Sequence, residues 1–217
     1  MRRGPRIPVL LLTCALALTG CAPADWDIDR AAPTAEGTPG PGFLPIAEPS
    51  PEATVSPTTG SWQSIHAPSG YRVVLLMAGQ DETTQTLAGA VRDWAADEDV
   101  DLREIASEGD LIASIVEAME MNPELIVSMG DELIEPLATV SAHHLDEQFL
   151  ILGAEIPEPT ENVTAVEWAG AGFRGDGIAA ASEFDAGTFT PERGADAVRA
   201  GAASVLSGMT GVVLWID

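Results

Sequence analysis

Lysine is absent from this sequence of 217 residues, and ten arginines stand against 34 aspartates and glutamates. The formal net charge is −24, and it becomes −27 once residues 1–20 are removed, because they carry three arginines and no acid. Such a surface repels the phosphates of nucleic acids and of anionic lipid head groups. We therefore expect no nucleic-acid partner, and we read the acidity mainly as an adaptation for solubility or a saline setting.

A long apolar run is also missing, since a helix needs about twenty apolar residues to cross a bilayer. The run over residues 7–18 is shorter and follows three arginines, which is typical of a secretory signal peptide. It ends in Leu18, Thr19, Gly20 and Cys21, which resemble the bacterial lipobox at all four positions. The lipobox implies a signal peptide over residues 1–20, cleavage before Cys21 and diacylglycerol on the Cys21 sulfur. An ordinary cleaved signal with a coincidental cysteine is the alternative.

Lipid on Cys21 implies a partner, the membrane, on its extracytoplasmic face. One acyl chain holds a protein only marginally, whereas acylation of the new amino terminus as well gives stable anchoring. Of the two cysteines in the sequence, Cys14 leaves with the signal peptide and Cys21 carries the lipid. No pair is left for a disulfide, so the exported domain must be stable through its core alone. A hydrophobic content of 46% supplies that core.

Residues 21–69 differ in composition from the rest of the chain. Seven prolines between positions 33 and 57 are interspersed with glycine, threonine, serine and alanine, without helical or strand periodicity. Such a segment buries too little apolar surface to order itself. We therefore predict a lipidated cysteine followed by a disordered tether, which spans on the order of 40 Å as a flexible chain. Trp62 and Ile65 are expected to begin packing on the domain.

Residues 70–217 alternate between strand and helix patterns, which predicts one α/β domain. Continuous apolar runs predict buried strands at residues 72–78, 125–129 and 149–152, and further strands are expected at 100–105, 163–168 and 212–216. Helical stripes are expected at 84–97, 110–121, 132–144 and 191–206. Alternating strands and helices predict a doubly wound, mostly parallel sheet with helices on both faces, in the flavodoxin-like order 2-1-3-4-5.

Ligands of such folds bind beyond the carboxyl ends of the strands. In this sequence those ends carry glycine, which lets the backbone approach a ligand, followed by acids and amides that accept hydrogen bonds from hydroxyls or amines. Trp168 also follows a strand and could stack on a base or sugar, whereas Trp94 and Trp215 are expected in the core. The candidates for ligand binding are Gly79, Gln80, Asp81, Gly130, Asp131, Glu155 and Trp168. Loop and helix-cap roles are the alternative for each position.

Several segments between residues 71 and 185 resemble the basic membrane lipoproteins, substrate-binding proteins of ABC importers with the type 1 periplasmic-binding fold. Asp81, Thr83 and Gln85 match that family's first strand–helix loop, and Gly89 matches its helix glycine. The segments 123–130 and 148–153, with residues 162–163, resemble its third and fourth strands and the entry to the fifth. The resemblance adds Thr83 and Gln85 to the candidate site. It implies a nucleoside-like small solute as ligand and an ABC importer as partner.

The chain also departs from that family. Thr84 stands where the family has an aromatic residue, and the sequence suffices for one lobe where family members close two lobes on the ligand. One lobe cannot bury most of a small ligand. Three alternatives follow: weak binding, a second chain that supplies the missing wall, or a lobe kept as a scaffold for contacts with another envelope protein.

No motif nominates an enzyme, a cofactor or a metal. A Gly-x-Gly-x-x-Gly string over residues 170–175 follows the fifth strand, whereas a dinucleotide fingerprint belongs after the first. His143, His144 and Asp146 lack the spacing of a metal site, so we expect a solvated helix end. The sequence has neither a nucleophile elbow nor a P-loop. We therefore expect a non-enzymatic binding protein, with an envelope interaction module as the alternative.

Overall fold

The computed structural model describes Trp26, Ile28 and residues 30–172 and 182–217. The predicted signal peptide and Cys21 lie outside these residues. The strands are β1 (Glu36–Gly37), β2 (Thr54–Val55), β3 (Ile65–His66), β4 (Arg72–Ala78), β5 (Asp101–Ser107), β6 (Leu125–Met129), β7 (Phe149–Leu152), β8 (Val163–Glu167) and β9 (Val213–Trp215). The helices are α1 (Glu82–Asp97), α2 (Leu111–Glu120), α3 (Ile134–Ser141) and α4 (Pro191–Leu206). None of the helices in this part of the chain is long and apolar enough to cross a membrane.

A seven-stranded sheet organises the domain, in the order β2-β9-β8-β7-β6-β4-β5 with every neighbouring pair parallel. The predicted α/β doubly wound sheet is confirmed, and its first five strands take the predicted order. The last predicted strand, β9, lies beside β8. An additional strand that the sequence does not predict, β2, extends the sheet beyond β9.

Strand β4 is the most enclosed element, because all seven of its residues are buried. It pairs with β5 on one side and β6 on the other. Successive side chains point to opposite faces of a sheet, so Val73 and Leu75 enter one hydrophobic cluster while Val74 and Leu76 enter the other. A continuous apolar run is what burial on both faces demands. This explains why the sequence predicts its bounds correctly.

The helices cover both faces of the sheet, α1 and α4 on one and α2 and α3 on the other. Helix α4 begins where Thr190 caps the nitrogen of Arg193 and Pro191 occupies the first turn. It also packs closely: a Cβ on Gly194 would lie 2.8 Å from the Ala90 Cβ of α1. The small residues of α4 therefore allow it to approach both α1 and the sheet.

The connection from β7 to β8 contains no helix over residues 153–162, all of which are described. Asn162, buried at the end of this connection, stabilises the end of α3 instead. Its Nδ2 lies within 2.9–3.2 Å of the carbonyl oxygens of Ser141, His144 and Glu147. The side chain thereby satisfies carbonyls that a helix end leaves without intrahelical partners.

Residues 30–69 pack on the domain, so the prediction of a disordered tether over them is wrong. Phe43 and Trp62 are each 1% exposed and belong to the hydrophobic cluster beneath α1 and α4. Strand β2 pairs with β9, and β1 pairs with β3 in a small antiparallel sheet. The expected packing of Trp62 and Ile65 on the domain is confirmed, but the packed region begins far upstream of them.

Polar contacts hold both ends of this segment against the domain. Near its start, Arg30 Nη1 donates to the Gly70 carbonyl oxygen at 3.0 Å. Near its end, His66 Nδ1 lies 3.0 Å from Glu98 Oε1, to which Arg199 of α4 also donates at 2.9 Å. Both ends of the segment are therefore attached to the domain by hydrogen bonds.

Truncation of Phe43 measures whether this segment contributes to stability. We expect Phe43→Ala to lower the free energy of unfolding by about 3–5 kcal/mol, because it leaves a cavity in the core. Ile46→Ala, three residues away at a fully exposed position, should change stability by less than about 0.5 kcal/mol. Denaturant unfolding of both variants checks this, and equal small effects would mean that the segment is not packed.

Candidate functional site: a cavity at the carboxyl end of the sheet

A cavity of about 420 Å³ opens at the carboxyl end of the sheet, which we define as the end where Gly79, Gly130 and Gly153 follow β4, β6 and β7. We call it the strand-end cavity. Strand order reverses at β4, since β5 lies on one side of it and β6 on the other. The lining residues are Ala78, Gly79, Asp81, Glu82, Thr83, Thr84, Leu87, Gly130, Asp131, Glu132, Leu152, Gly153, Phe184, Ala186 and Phe189. The cavity thus occupies the topological switch point, where doubly wound folds bind ligands.

Asp81 caps the amino end of α1. Its Oδ1 accepts from the Thr84 nitrogen at 2.9 Å and from the Thr83 hydroxyl, and its Oδ2 accepts from the Thr84 hydroxyl at 2.7 Å. Burial, the largest single effect, acts to raise the pKa of Asp81, but the hydrogen bonds from Thr83 and Thr84 together lower it to about 2. Asp81 therefore stays ionised down to low pH, and it has a structural function as the cap of α1.

Asp131 reaches the cavity because Gly130 lets β6 end close to β4. Gly130 has φ +102, and a Cβ placed there would lie 2.2 Å from the carbonyl oxygen of Ala78. Asp131 as a residue is exposed, but it lines the cavity and its carboxyl group is partly buried there. This partial burial, followed by the negative charge of Asp81, raises the pKa of Asp131 above its ordinary value. The short 3-10 turn that begins at Asp131 has no side-chain cap, because the residue before it is Gly130.

Aromatic side chains form the opposite wall. Phe184 and Phe189 have ring centroids 5.7 Å apart, and Phe189 and Trp168 pack in a T-shaped arrangement with centroids 5.0 Å apart. Phe184 is 54% exposed. Leu87 of α1 and Leu152 of β7 add apolar surface to the lining. One wall therefore offers a flat apolar surface, and the other offers carboxylates.

The charge of the cavity has one sign. Asp81, Glu82, Asp131 and Glu132 line it, and no arginine or histidine is among the described lining residues. Carboxylates accept hydrogen bonds and attract cations. This chemistry favours a ligand that carries hydroxyl or amine donors, or a positive charge, together with a ring or apolar body. It disfavours phosphorylated and other anionic ligands.

The structure brings together five of the nine residues that the sequence nominates for ligand binding: Gly79, Asp81, Thr83, Gly130 and Asp131. The other four do not line the cavity. Gln80 and Gln85 are exposed outside it, and Glu155 is buried, as is Trp168. Trp168 is 1% exposed, and its Nε1 donates to Thr188 Oγ1 at 3.0 Å. It packs against Phe189 from within the core. The structure thus places Trp168 in the hydrophobic core, in the same cluster as Trp94.

Two lining residues that the sequence analysis missed are Phe184 and Phe189. They follow β8 in a stretch without periodicity, so no local pattern marks them. An aromatic pair in an otherwise polar loop close to the fifth strand is the only signal that could have suggested them. Of the Gly-x-Gly-x-x-Gly string, Gly170 and Gly172 lie in a turn after β8, and residues 173–175 fall outside the described part of the chain.

A metal centre is not evident in the described residues, among which no group of three His, Cys, Asp or Glu side chains could hold an ion. His143 and His144 are exposed beyond the end of α3. His143 Nδ1 lies 3.0 Å from the Thr139 carbonyl oxygen, one turn earlier in the helix.

Comparisons with known proteins find solved structures of low and partial similarity. No protein-family model matches the sequence, and no curated protein matches it. An ABC transporter solute-binding protein from Aeropyrum pernix K1 has a TM-score of 0.40 and 20% identity, over 46% of this chain and 29% of that chain. One from Conexibacter woesei DSM 14684 has a TM-score of 0.37 and 17% identity, over 45% and 35%. A proposed lipoprotein fragment from Peptoclostridium difficile 630 has a TM-score of 0.44 and 16% identity, over 64% and 99%.

These matches span about a third of the two solute-binding proteins' chains or less. The strand order itself shows an α/β fold with a parallel sheet, and membership of the basic membrane lipoproteins stays a prediction.

Asp81 and Asp131 should respond differently to removal of their charge. Asp81→Ala should lower the free energy of unfolding at pH 7 by about 1 kcal/mol, because α1 loses its cap. The folded pKa of about 2 lies below the ordinary value of 3.8, so this contribution is complete above pH 3.8 and lost as the pH falls through 2. Asp131→Asn, which removes a repulsive charge, should leave stability unchanged or raise it. Chemical unfolding at several pH values checks both, and an equal loss in the two variants would contradict the assignment.

Gly130 should tolerate no side chain. Because alanine there combines a positive φ with a contact to the Ala78 carbonyl, Gly130→Ala should cost about 2 kcal/mol or more. Gly89 in α1 is the matched control, since nothing lies within 4 Å of a Cβ added there. Gly89→Ala should stabilise the protein by about 0.5–1 kcal/mol. Thermal unfolding of the two variants compares them, and a harmless Gly130→Ala would refute the close approach of β6 to β4.

Proposed function

We propose that this protein is a lipid-anchored, extracytoplasmic binding protein that takes up a small solute in the strand-end cavity. The position of the cavity at the switch point beside β4 carries the proposal. Five residues nominated from the sequence line it, and among its described lining residues no group is arranged for nucleophilic or metal-assisted catalysis. The function that fits is binding without chemical conversion of the ligand.

The lining defines the class of ligand. Two phenylalanine rings suit a planar base or another flat apolar group, and carboxylates suit hydroxyl and amine donors. A nucleoside combines both features, in agreement with the sequence resemblance to the basic membrane lipoproteins. Partner and location follow from that resemblance and from the lipobox at Cys21: an ABC importer, and the outer side of a cell membrane.

Thermal unfolding of the mature chain with Cys21→Ser tests the proposal. The probes are nucleosides, organic amines and polyols, with nucleoside monophosphates as matched anionic controls. A ligand at a hundred times its dissociation constant adds about 2.7 kcal/mol, which raises the midpoint of a domain of this size by roughly 5–10 °C. We expect such a shift from a neutral or cationic solute, and none from its phosphorylated counterpart because the four carboxylates repel it.

Two variants assign the shift to the cavity. Asp131→Asn and Phe184→Ala should each reduce the affinity about tenfold or more, which corresponds to about 1.4 kcal/mol. Asp131 is preferable to Asp81 for this purpose, because Asp81 also caps α1. Glu117→Gln on the exposed side of α2 and Leu145→Ala at another exposed apolar position are the controls. A shift that survives in both site variants would place the ligand elsewhere.

The exposure of Phe184 favours a second candidate function. A phenyl ring 54% exposed at the rim of a cavity suits burial by another protein chain. On this alternative the domain is an envelope interaction module, and a partner completes the wall that a second lobe supplies in two-lobed proteins. No midpoint shift across the solute panel, together with a protein complex that Phe184→Ala weakens, would support it.

A further inference from the structure

Trp26 is fixed firmly to the domain although it lies only five residues after Cys21. The residue is 2% exposed. Its Nε1 donates to Asp101 Oδ2 at 2.8 Å, and its carbonyl oxygen accepts from Arg72 Nη1 and Asn122 Nδ2, each at 2.9 Å. Side chain and backbone are both held, so Trp26 is anchored to the folded domain.

Arginine side chains surround this tryptophan. The guanidinium carbon of Arg103 lies 3.9 Å from the centre of the indole ring, and that of Arg72 lies 6.0 Å from it. A guanidinium over the face of an indole is attracted by the ring's negative face. Three elements of the domain therefore contact Trp26 at once: β4, β5 and the turn before β6.

These contacts place Trp26 at the amino end of the sheet, which we define by the first residues of β4 and β5, Arg72 and Asp101. Asn122 precedes β6 at the same end. The strand-end cavity begins at Ala78, the last residue of β4. Six steps of about 3.3 Å along β4 separate the two ends by roughly 20 Å. The point of attachment and the cavity therefore lie on opposite ends of the domain.

The link between Cys21 and Trp26 is short. Even a fully extended chain covers at most about 3.6 Å per residue, so five residues reach about 18 Å. A long tether, such as the sequence suggests, would let the domain turn freely. A five-residue link keeps the amino end of the sheet beside whatever holds Cys21.

From this geometry we infer that the domain is held with the amino end of its sheet toward the membrane and the strand-end cavity directed away from it. The inference rests on the proposed lipid anchor at Cys21.

Energy transfer from single labels to membrane acceptors tests the orientation on the full-length lipoprotein. After removal of Cys14 and lipidation of Cys21, the chain offers no other thiol, so Glu120→Cys and Glu108→Cys each give one labelling site. Both are exposed glutamates: Glu120 is the last residue of α2, toward the amino end of the sheet, and Glu108 precedes α2, toward the carboxyl end. The probe is a vesicle of phosphatidylcholine and phosphatidylglycerol with an acceptor on its head groups.

We expect transfer from position 120 to exceed that from position 108 by about twofold or more, because the helix between them is about 15 Å long and transfer falls steeply with distance. A flexible insertion of about 20 residues between Cys21 and Trp26 would reach about 25 Å and should abolish the difference. Trp26→Ala should also reduce it, and Trp26→Phe should restore part of it.

Each outcome bears on one step of the inference. Equal transfer from both positions, with the protein retained on the vesicles, overturns the orientation and leaves the lipid anchor intact. A difference that survives the insertion also overturns it, since the short link would not be the cause. Loss of retention to the level of Cys21→Ser in the parent protein overturns the anchor and the orientation together.

Discussion

The pairing of β4 along both of its sides is the constraint on which the rest of the structure depends. Its seven residues are all buried, and hydrogen bonds join it to β5 and β6 in parallel register. Since all strands of the main sheet run the same way, their carboxyl ends meet at one end of the domain and their amino ends at the other. One end thereby collects glycines and acids around a cavity. The other collects Arg72 and Asp101 around Trp26.

The elements that the sequence predicts best are those whose burial produces a recognisable pattern of apolar residues within the element itself. Strands β4, β6 and β7 are buried on both faces, so continuous apolar runs mark their bounds. Helix α4 begins at a threonine–proline pair that satisfies the first turn. The site follows in part from the same logic, because glycine and aspartate at the ends of β4 and β6 must converge when the strands are parallel.

Features that depend on contacts between distant residues produce no such pattern. Residues 30–69 are held by a few large side chains, such as Phe43 and Trp62, spaced without period among prolines. The amino-acid composition suggests disorder there, because a count of residue types does not show how much apolar surface one buried aromatic side chain removes from water. Trp168 shows the converse: its position at a strand end predicts exposure to ligand, but the loop that carries Thr188 and Phe189 covers it.

The pairing of β2 with β9 bears on the order in which the domain can fold. Thr54 meets Val213 only when almost the whole domain is in place, since β2 lies near the start of the packed chain and β9 is the last strand of the described sheet. Contacts between such distant residues form late, because the entropy of closing the loop between them must be overcome first. Until then β9 has one unpaired side, which is a template for pairing with another chain. A chain that emerges amino end first would leave Thr54 and Val55 without their strand partner until β9 emerges, and at that stage it would depend most on a chaperone.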